Sequence, residues 1–217
     1  MTPATTLAPP SGPPLQPAGQ PPNAASATAA LPTPFRWTIA DYRELGQLDV
    51  FRDIRTYLLD GEIYVVPNPN PPHDLAMAVT EDWLREVFKV GHHVRTQKGF
   101  DVGTRNDPGP DIAVVPGTAR DYAGRTPSAA VLIVEVSETS LSKDITAKAE
   151  KYATAGVPDY WVIDLLNRRI VVLRDPVTLP EGLGATAYRT HLTFGPTDTV
   201  SPLAAPHASA AVADLLP

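Results

Sequence analysis

The sequence predicts a single α/β domain, a mixed central β-sheet flanked by helices, behind an N-terminal tail. Three observations predict it. Short runs rich in β-branched residues recur at Ile112–Val115, Val131–Ser137, Tyr160–Asp164 and Arg169–Leu173. Stretches with helical signals separate the runs, one reaching about Phe88 and one carrying Asp144, Lys148 and Tyr152. At 217 residues and 43% hydrophobic content the chain suits one globular core, with no room for two ordinary domains.

Composition narrows the class further. With no Cys, the chain has no disulfide, thiolate zinc site or Cys nucleophile, which fits a reducing compartment. No apolar run approaches the roughly 20 residues of a membrane span, and no basic segment followed by an apolar one opens the chain. A soluble cytoplasmic protein with no membrane partner is the expectation. The net charge of −6 argues against a general nucleic-acid coating protein. It leaves room for a nuclease, whose metal ions and local basic groups act against the global sign.

Residues 1–34 contain no Asp, Glu, Lys or Arg and hold ten of the 25 prolines. Such a segment reads as a disordered or extended tail, or as a Pro-rich ligand for a partner. Residues 35–217 form the expected domain. Thr38 to Leu48 reads as a short helix with Thr38 as N-cap. Asp60-Gly61 is a strong turn signal between Tyr57–Leu59 and Glu62–Val66, hence a hairpin. A helix from His73-Asp74 to about Phe88 would bury Leu75, Val79, Trp83, Val87 and Phe88. Two strand-like pieces follow, Val94–Gln97 and Phe100–Val102.

The central pattern runs from Pro110 to Tyr152. If Ile112–Val115 and Val131–Val136 pair as an antiparallel hairpin across the loop 116–128, Asp111 and Glu135 meet at a sheet edge. Two adjacent carboxylates repel, and a divalent cation is the usual thing that makes such a pair tolerable. Ser140 or Ser142 would cap the next helix, on which Asp144, Lys148, Lys151 and Tyr152 share a side. Gly156 and Pro158 end it. A hairpin of Tyr160–Asp164 with Arg169–Leu173 follows, then a strand at Tyr188–Phe194. Val212, Leu215 and Leu216 would dock on the body.

Pro110-Asp111, Glu135-Val136-Ser137, Asp144-x3-Lys148-x3-Tyr152 and the stretch Ala155 to Asp164 together resemble the Uma2 family of endonucleases, within the PD-(D/E)XK or restriction-endonuclease-like superfamily. Asp60-Gly61-Glu62 and the Pro-rich approach to His73 match the family's usual opening. The resemblance covers about residues 36 to 216. It implies a restriction-endonuclease-like fold and phosphodiester hydrolysis, in nucleic acid and chiefly DNA, by a metal-activated water. Asp111, Glu135 and the Val136 backbone carbonyl would hold Mg²⁺ or Mn²⁺.

The third position of the D/E-x-K triplet is Ser137, whose hydroxyl supplies no positive charge. The resemblance puts the missing lysine at Lys148, with Lys143 and Lys151 as competitors. It gives Glu62 as an additional acid, and Asp144 as either a group orienting Lys148 or a helix-start charge. Other readings stand beside these. Glu135 is a metal ligand or one half of a structural salt bridge to Lys148, and His73 a metal ligand or a helix-start polar group. Tyr152 is a core aromatic or a hydroxyl reaching the site. Arg95, Lys98 and Arg105 are phosphate contacts or a solvated face. His92-His93 lack the companions of a zinc site. Cutting both strands of a duplex with one site per chain would call for a homodimer.

Overall fold

The structure is a computed structural model and describes residues 33–179 and 186–217. The expectation for the tail falls, over residues 1–32, outside them. Helix α1 (Ile39–Leu45) starts at the expected cap: Thr38 accepts from the Asp41 N–H while Asp41 bonds back to Thr38. β1 (Thr56–Leu59) and β2 (Glu62–Val65) form a separate two-stranded hairpin, with Asp60 and Gly61 both at positive φ in its turn. α2 (Pro71–Val87) begins two residues before the expected start. Asn70 caps it by accepting from His73 N at 3.1 Å, and Pro71 fits the first turn, where its missing N–H costs nothing.

The buried stripe of α2 is Ala76, Thr80 and Leu84; of the expected series Phe88 is buried as expected, while Leu75 is 49% exposed. Trp83 and Val87 pack only at its margin. Small residues at Ala76 and Thr80 form the face that meets the sheet, and a reading weighted toward bulky apolar residues misses them.

Strands β3 (His92–Thr96), β4 (Ile112–Pro116), β5 (Leu132–Ser137), β6 (Asp159–Asp164), β7 (Arg169–Thr178) and β8 (Thr186–Phe194) lie in that order in one six-stranded sheet. All pairs are antiparallel except β5 with β6. That parallel pair needs a crossover. It is supplied by α3 (Leu141–Lys143), a π turn (Asp144–Lys148) and α4 (Ala149–Thr154) in continuous succession.

Phe100–Val102 is no strand, which corrects the expectation. Val102 makes one isolated bridge to Asn106, and the Phe100 N–H is taken by the Asp107 carboxylate at 2.8 Å. β7 runs beyond the expected Leu173 because it outlasts β6. Pro176 falls past the β6 pairing, so its lack of an N–H costs no ladder bond there.

Period-2 alternation gives the sheet two buried faces. One carries Ile112, Val114, Val134, Val136, Trp161 and Ile163 against α2 and the C-terminal residues Val212, Leu215 and Leu216. The other carries Ala113, Val115, Ile133, Tyr160 and Val162 against Ala149, Tyr152 and Ala153 of α4. A short hairpin of β9 (Thr199–Val200) and β10 (Ala210–Ala211) completes the first layer. Helix, sheet and helix thus stack as three layers, and the mixed sheet flanked by helices is as expected.

Candidate active site

The β4–β5 register pairs Ile112 with Val134, so one step further Asp111 stands opposite Glu135. By alternation both carboxylates project to the face covered by α4. β4 and β5 are the second and third strands of the sheet. The pair therefore lies at strand ends in the sheet interior, not on an edge strand.

Glu135 is 2% exposed and both of its oxygens are engaged. Lys148 Nζ lies 2.9 Å from Oε2, and the Tyr152 hydroxyl donates to Oε1 at 2.6 Å. Asp111 accepts from the Val136 N–H at 2.9 Å, and His73 Nε2 stands 3.4 Å from the same Oδ2. In a strand the N–H and C=O of one residue project the same way, so the Val136 carbonyl also faces the start of β4. Behind the lysine, Asp144 Oδ1 sits 3.3 Å from Nζ, and Ser140 donates to Asp144 Oδ2 at 2.5 Å. Ser140 stands at the cap position of the helix, but its hydroxyl makes no bond to the first-turn backbone. It serves the Asp144 carboxylate instead.

Electrostatics follow from burial. Desolvation pushes the Glu135 carboxyl up to about 8, against the pull of Lys148 and with help from Asp111 and Asp144. Burial works against the Lys148 charge, yet Glu135, Asp144 and Asp111 hold its pKa above the ordinary lysine value. For Asp111, burial is outweighed by His73, the Val136 N–H and Lys148, and its carboxyl stays below the usual range. The bond to Asp111 raises His73. Burial keeps the Tyr152 hydroxyl protonated and hence a donor.

The site opens into a cavity of about 700 Å³, walled by β1, the loop 65–70, His73, the carboxylate pair and the helix start. Among the described residues no group of three or more His, Cys, Asp or Glu is gathered as a ready cation cage. Two facing carboxylates and a strand-end carbonyl still fit a hard divalent ion of the Mg²⁺ class, which takes one or two carboxylates and keeps several waters. Glu135 carries the second sign of fit, because a carboxyl raised chiefly by burial, and further by Asp111 and Asp144, is what a cation would bring back to its charged form.

The structure thus brings together Asp111, Glu135, Val136, Lys148, Asp144, Tyr152 and His73. Glu62 is not brought there. It sits on the separate hairpin, exposed and held by Arg36 and the Tyr64 hydroxyl, and does not line the cavity. Lys151 pairs with Asp60 at 2.8 Å. Lys143 lines the cavity with its ammonium 3.8 Å from the Tyr64 ring centroid. Arg95 rests over Tyr122, Lys98 lines a side cavity and Arg105 is exposed. Sequence reasoning missed Asn70, which donates to Glu138 at 2.6 Å on the cavity wall, and Arg55, which lines both cavities. The signal for Asn70 was its place just before Pro71-Pro72. Arg55 stands in irregular chain and gave none.

The three-layer architecture has a match among solved structures. A crystal structure described as a "putative nuclease belonging to DUF820" from Anabaena variabilis ATCC 29413 superposes with a TM-score of 0.61 at 18% identity, covering 82% of this chain and 96% of that one. At that identity the likeness speaks for the fold alone. The model of the Uma2 family, described as "Putative restriction endonuclease", matches residues 39–213. The chain belongs to the Uma2 family. No curated protein matches it significantly.

Proposed function

We propose that the protein is a divalent-metal-dependent endonuclease that hydrolyses phosphodiester bonds, with DNA as substrate. The observation that carries this reading is the convergence of Asp111, Glu135 and Lys148, from two strands and a helix, at the floor of one open cavity. A bound Mg²⁺ or Mn²⁺ would lower the pKa of a coordinated water and neutralise charge on the scissile phosphate. Asp111, Glu135 and the Val136 carbonyl are the groups to hold it.

The chain's own residues do the rest. Lys148 offers its ammonium to the attacking water or to the developing negative charge, where a fixed cation in a poorly solvated site counts most. Asp144, steadied by Ser140, holds the amine in place, and Tyr152 fixes the Glu135 carboxylate. In the step itself the water oxygen bonds to phosphorus as one ester P–O bond breaks. The water gives up a proton to bulk solvent, and the leaving oxygen takes one from solvent. Cleavage of both strands of a duplex would pair two copies of the chain.

One observation favours a second reading, in which the acids and the lysine only brace the fold: both Glu135 oxygens already have partners. The experiment is nicking of supercoiled plasmid with Mg²⁺ or Mn²⁺, beside thermal melts with and without Mn²⁺. The proposal expects metal-dependent nicking lost in Asp111→Asn and Lys148→Ala, and a Mn²⁺-induced rise in Tm lost in Asp111→Asn. A wild-type protein that neither nicks nor is stabilised by Mn²⁺ would leave the bracing reading standing.

A further inference from the structure

Arg and Lys are outnumbered in this chain, 18 against 24 acids, yet many cations stand without a carboxylate partner, so what is informative is where an unpaired one lies. Arg36, Arg43, Arg52, Arg85, Arg169 and Arg174 are each paired with an acid on the described surface or in its core. Arg95, Lys98, Arg105, Arg120, Arg125, Arg168 and Arg189 are not, and none of them lines the main cavity; Arg55 and Lys143 are the unpaired cations that do. Among the described residues neither has an acid within ion-pair distance, both are half-buried, and both line the cavity that holds the carboxylate pair.

Each is kept free in its own way. Lys143 rests its ammonium 3.8 Å from the ring centroid of Tyr64, which stacks on Tyr57 at 5.1 Å. An aromatic face holds a cation in position and leaves its charge available. Arg55 lies near His73 and also lines an adjoining cavity of about 180 Å³ with Gln97 and Lys98. Gln97 takes the residue after β3 into positive φ, and its buried side-chain N–H₂ has no partner among the described residues. Its backbone N–H donates to the Asp111 carbonyl, so this donor stands beside the carboxylate pair on the β3 side. Arg55 thus belongs to the β3 side of the pair and Lys143 to the helix side.

The cavity demands such groups. Its walls carry four carboxylates, Asp111, Glu135, Glu138 and Asp144, while the Lys148 ammonium is already committed to two of them. A polyanion entering this field is repelled unless uncommitted cations meet it. Guanidinium matches a phosphate with two parallel N–H bonds, and ammonium serves as a point charge.

We infer that Arg55 and Lys143 are a phosphate clamp, binding backbone phosphates of a nucleic-acid strand on the two sides of the scissile one. This deepens the proposed nuclease reading and rests on it. Neither residue is hydrogen-bonded or ion-paired to the carboxylates or Lys148, so both are substrate-binding groups that take no part in breaking the bond.

The test is binding of a fluorescently labelled oligonucleotide, followed by anisotropy across a salt series, for the wild type, Arg55→Ala, Lys143→Ala and Arg55→Lys. Arg189→Ala, an exposed cation outside both cavities, is the control. Each alanine variant is expected to bind about tenfold more weakly and to lower the slope of log K against log salt by about 0.7–0.9, as loss of one phosphate contact does. Arg55→Lys is expected to keep the slope and lose affinity, and Arg189→Ala to match the wild type. The Mn²⁺-induced rise in Tm is expected to be the same in every variant, which also shows that each one folds. Wild-type affinity and slope in both alanine variants would overturn the clamp while leaving the nuclease reading intact. A wild type that binds no oligonucleotide would overturn the clamp, and absence of the Mn²⁺ shift as well would overturn both.

Discussion

Three lysines within one short stretch meet three fates. Lys148 enters the carboxylate pair, Lys143 lies on an aromatic ring, and Lys151 reaches Asp60 on the hairpin turn. Their spacing in sequence does not separate them, because one helical side can face both a site and a neighbouring hairpin. Lys148 is distinguished by Tyr152, four residues on, which reaches the other oxygen of the same glutamate. The buried glutamate makes a prediction at this scale. Its folded-state value of about 8 lies above the ordinary 4.5, so the folded protein keeps a proton that the unfolded chain gives up between the two. The stability this contributes is fully present below about 4.5 and is lost as pH rises through about 8. Thermal melts across that window should show Tm falling with pH, with a flatter profile in Glu135→Gln. If Glu135 holds the proposed ion, the Mn²⁺-induced shift should grow over the same range, since metal and proton would compete for the carboxylate. A wild-type Tm that climbs from acid to neutral in step with the variant would contradict the assignment.

At the scale of elements, the π turn at Asp144–Lys148 separates sequence from structure. A regular α-helix puts Asp144 and Lys148 on one side, and so does the structure, but the extra residue per turn also re-aims the helix that follows. Lys148 and Tyr152 then both converge on Glu135. No residue in Asp-Ile-Thr-Ala-Lys forbids an ordinary α turn, so the fit to the strand end decides it. The hairpin and helix ends are more local, and two glycines show how local. Gly61, at φ +75°, turns the β1–β2 hairpin, and a Cβ there would lie 2.9 Å from Arg36 Cβ and 3.0 Å from the Trp37 carbonyl oxygen. Gly156, at φ +72°, ends α4 with none of the described residues within 4 Å of an added Cβ. Gly156→Ala should cost about 1 kcal/mol from backbone conformation alone. Gly61→Ala should cost about 2–3 kcal/mol, because the clash with chain adds to the same strain. Chemical denaturation of the two variants checks the order, and a reversal would show that the hairpin is not held against the segment before α1.

Across the whole molecule, the layer beneath the site depends on the end of the chain. Val212, Leu215 and Leu216 are buried in the same cluster as Ile112, Val134 and Trp161. Asp159, wholly buried, ties this region to β6 and β7 by accepting from Trp161 Nε1, Arg174 Nε and the Leu203 N–H, each at 2.8 Å. Burying each of the three apolar side chains contributes about 1.5–3 kcal/mol. Their sum rivals the whole stability of an ordinary domain, about 5–15 kcal/mol. Removal of residues 212–217 should therefore give a chain that fails to fold, measured as loss of a cooperative thermal transition. A truncated protein melting near the wild-type temperature would show that the sheet face is covered by other means. The sequence marked these three residues for docking, but only the fold shows which layer they complete.

What the sequence by itself determined is whatever depends on period and local chemistry. The strand runs declare themselves by β-branched residues between turn signals. The Asp111–Glu135 juxtaposition follows from hairpin register, since a slip of one residue would turn both buried strands inside out. Thr38, Asp60-Gly61 and Gly156 mark their ends through bonds and backbone angles within a few residues. Tertiary structure alone decided that Glu62 stays on its hairpin with Arg36, that α2 meets the sheet through Ala76 and Thr80, and that Arg55 reaches the cavity. These depend on how separately formed elements pack, and close approach is set by side-chain volumes and charge partners far apart in the chain, which no local pattern records.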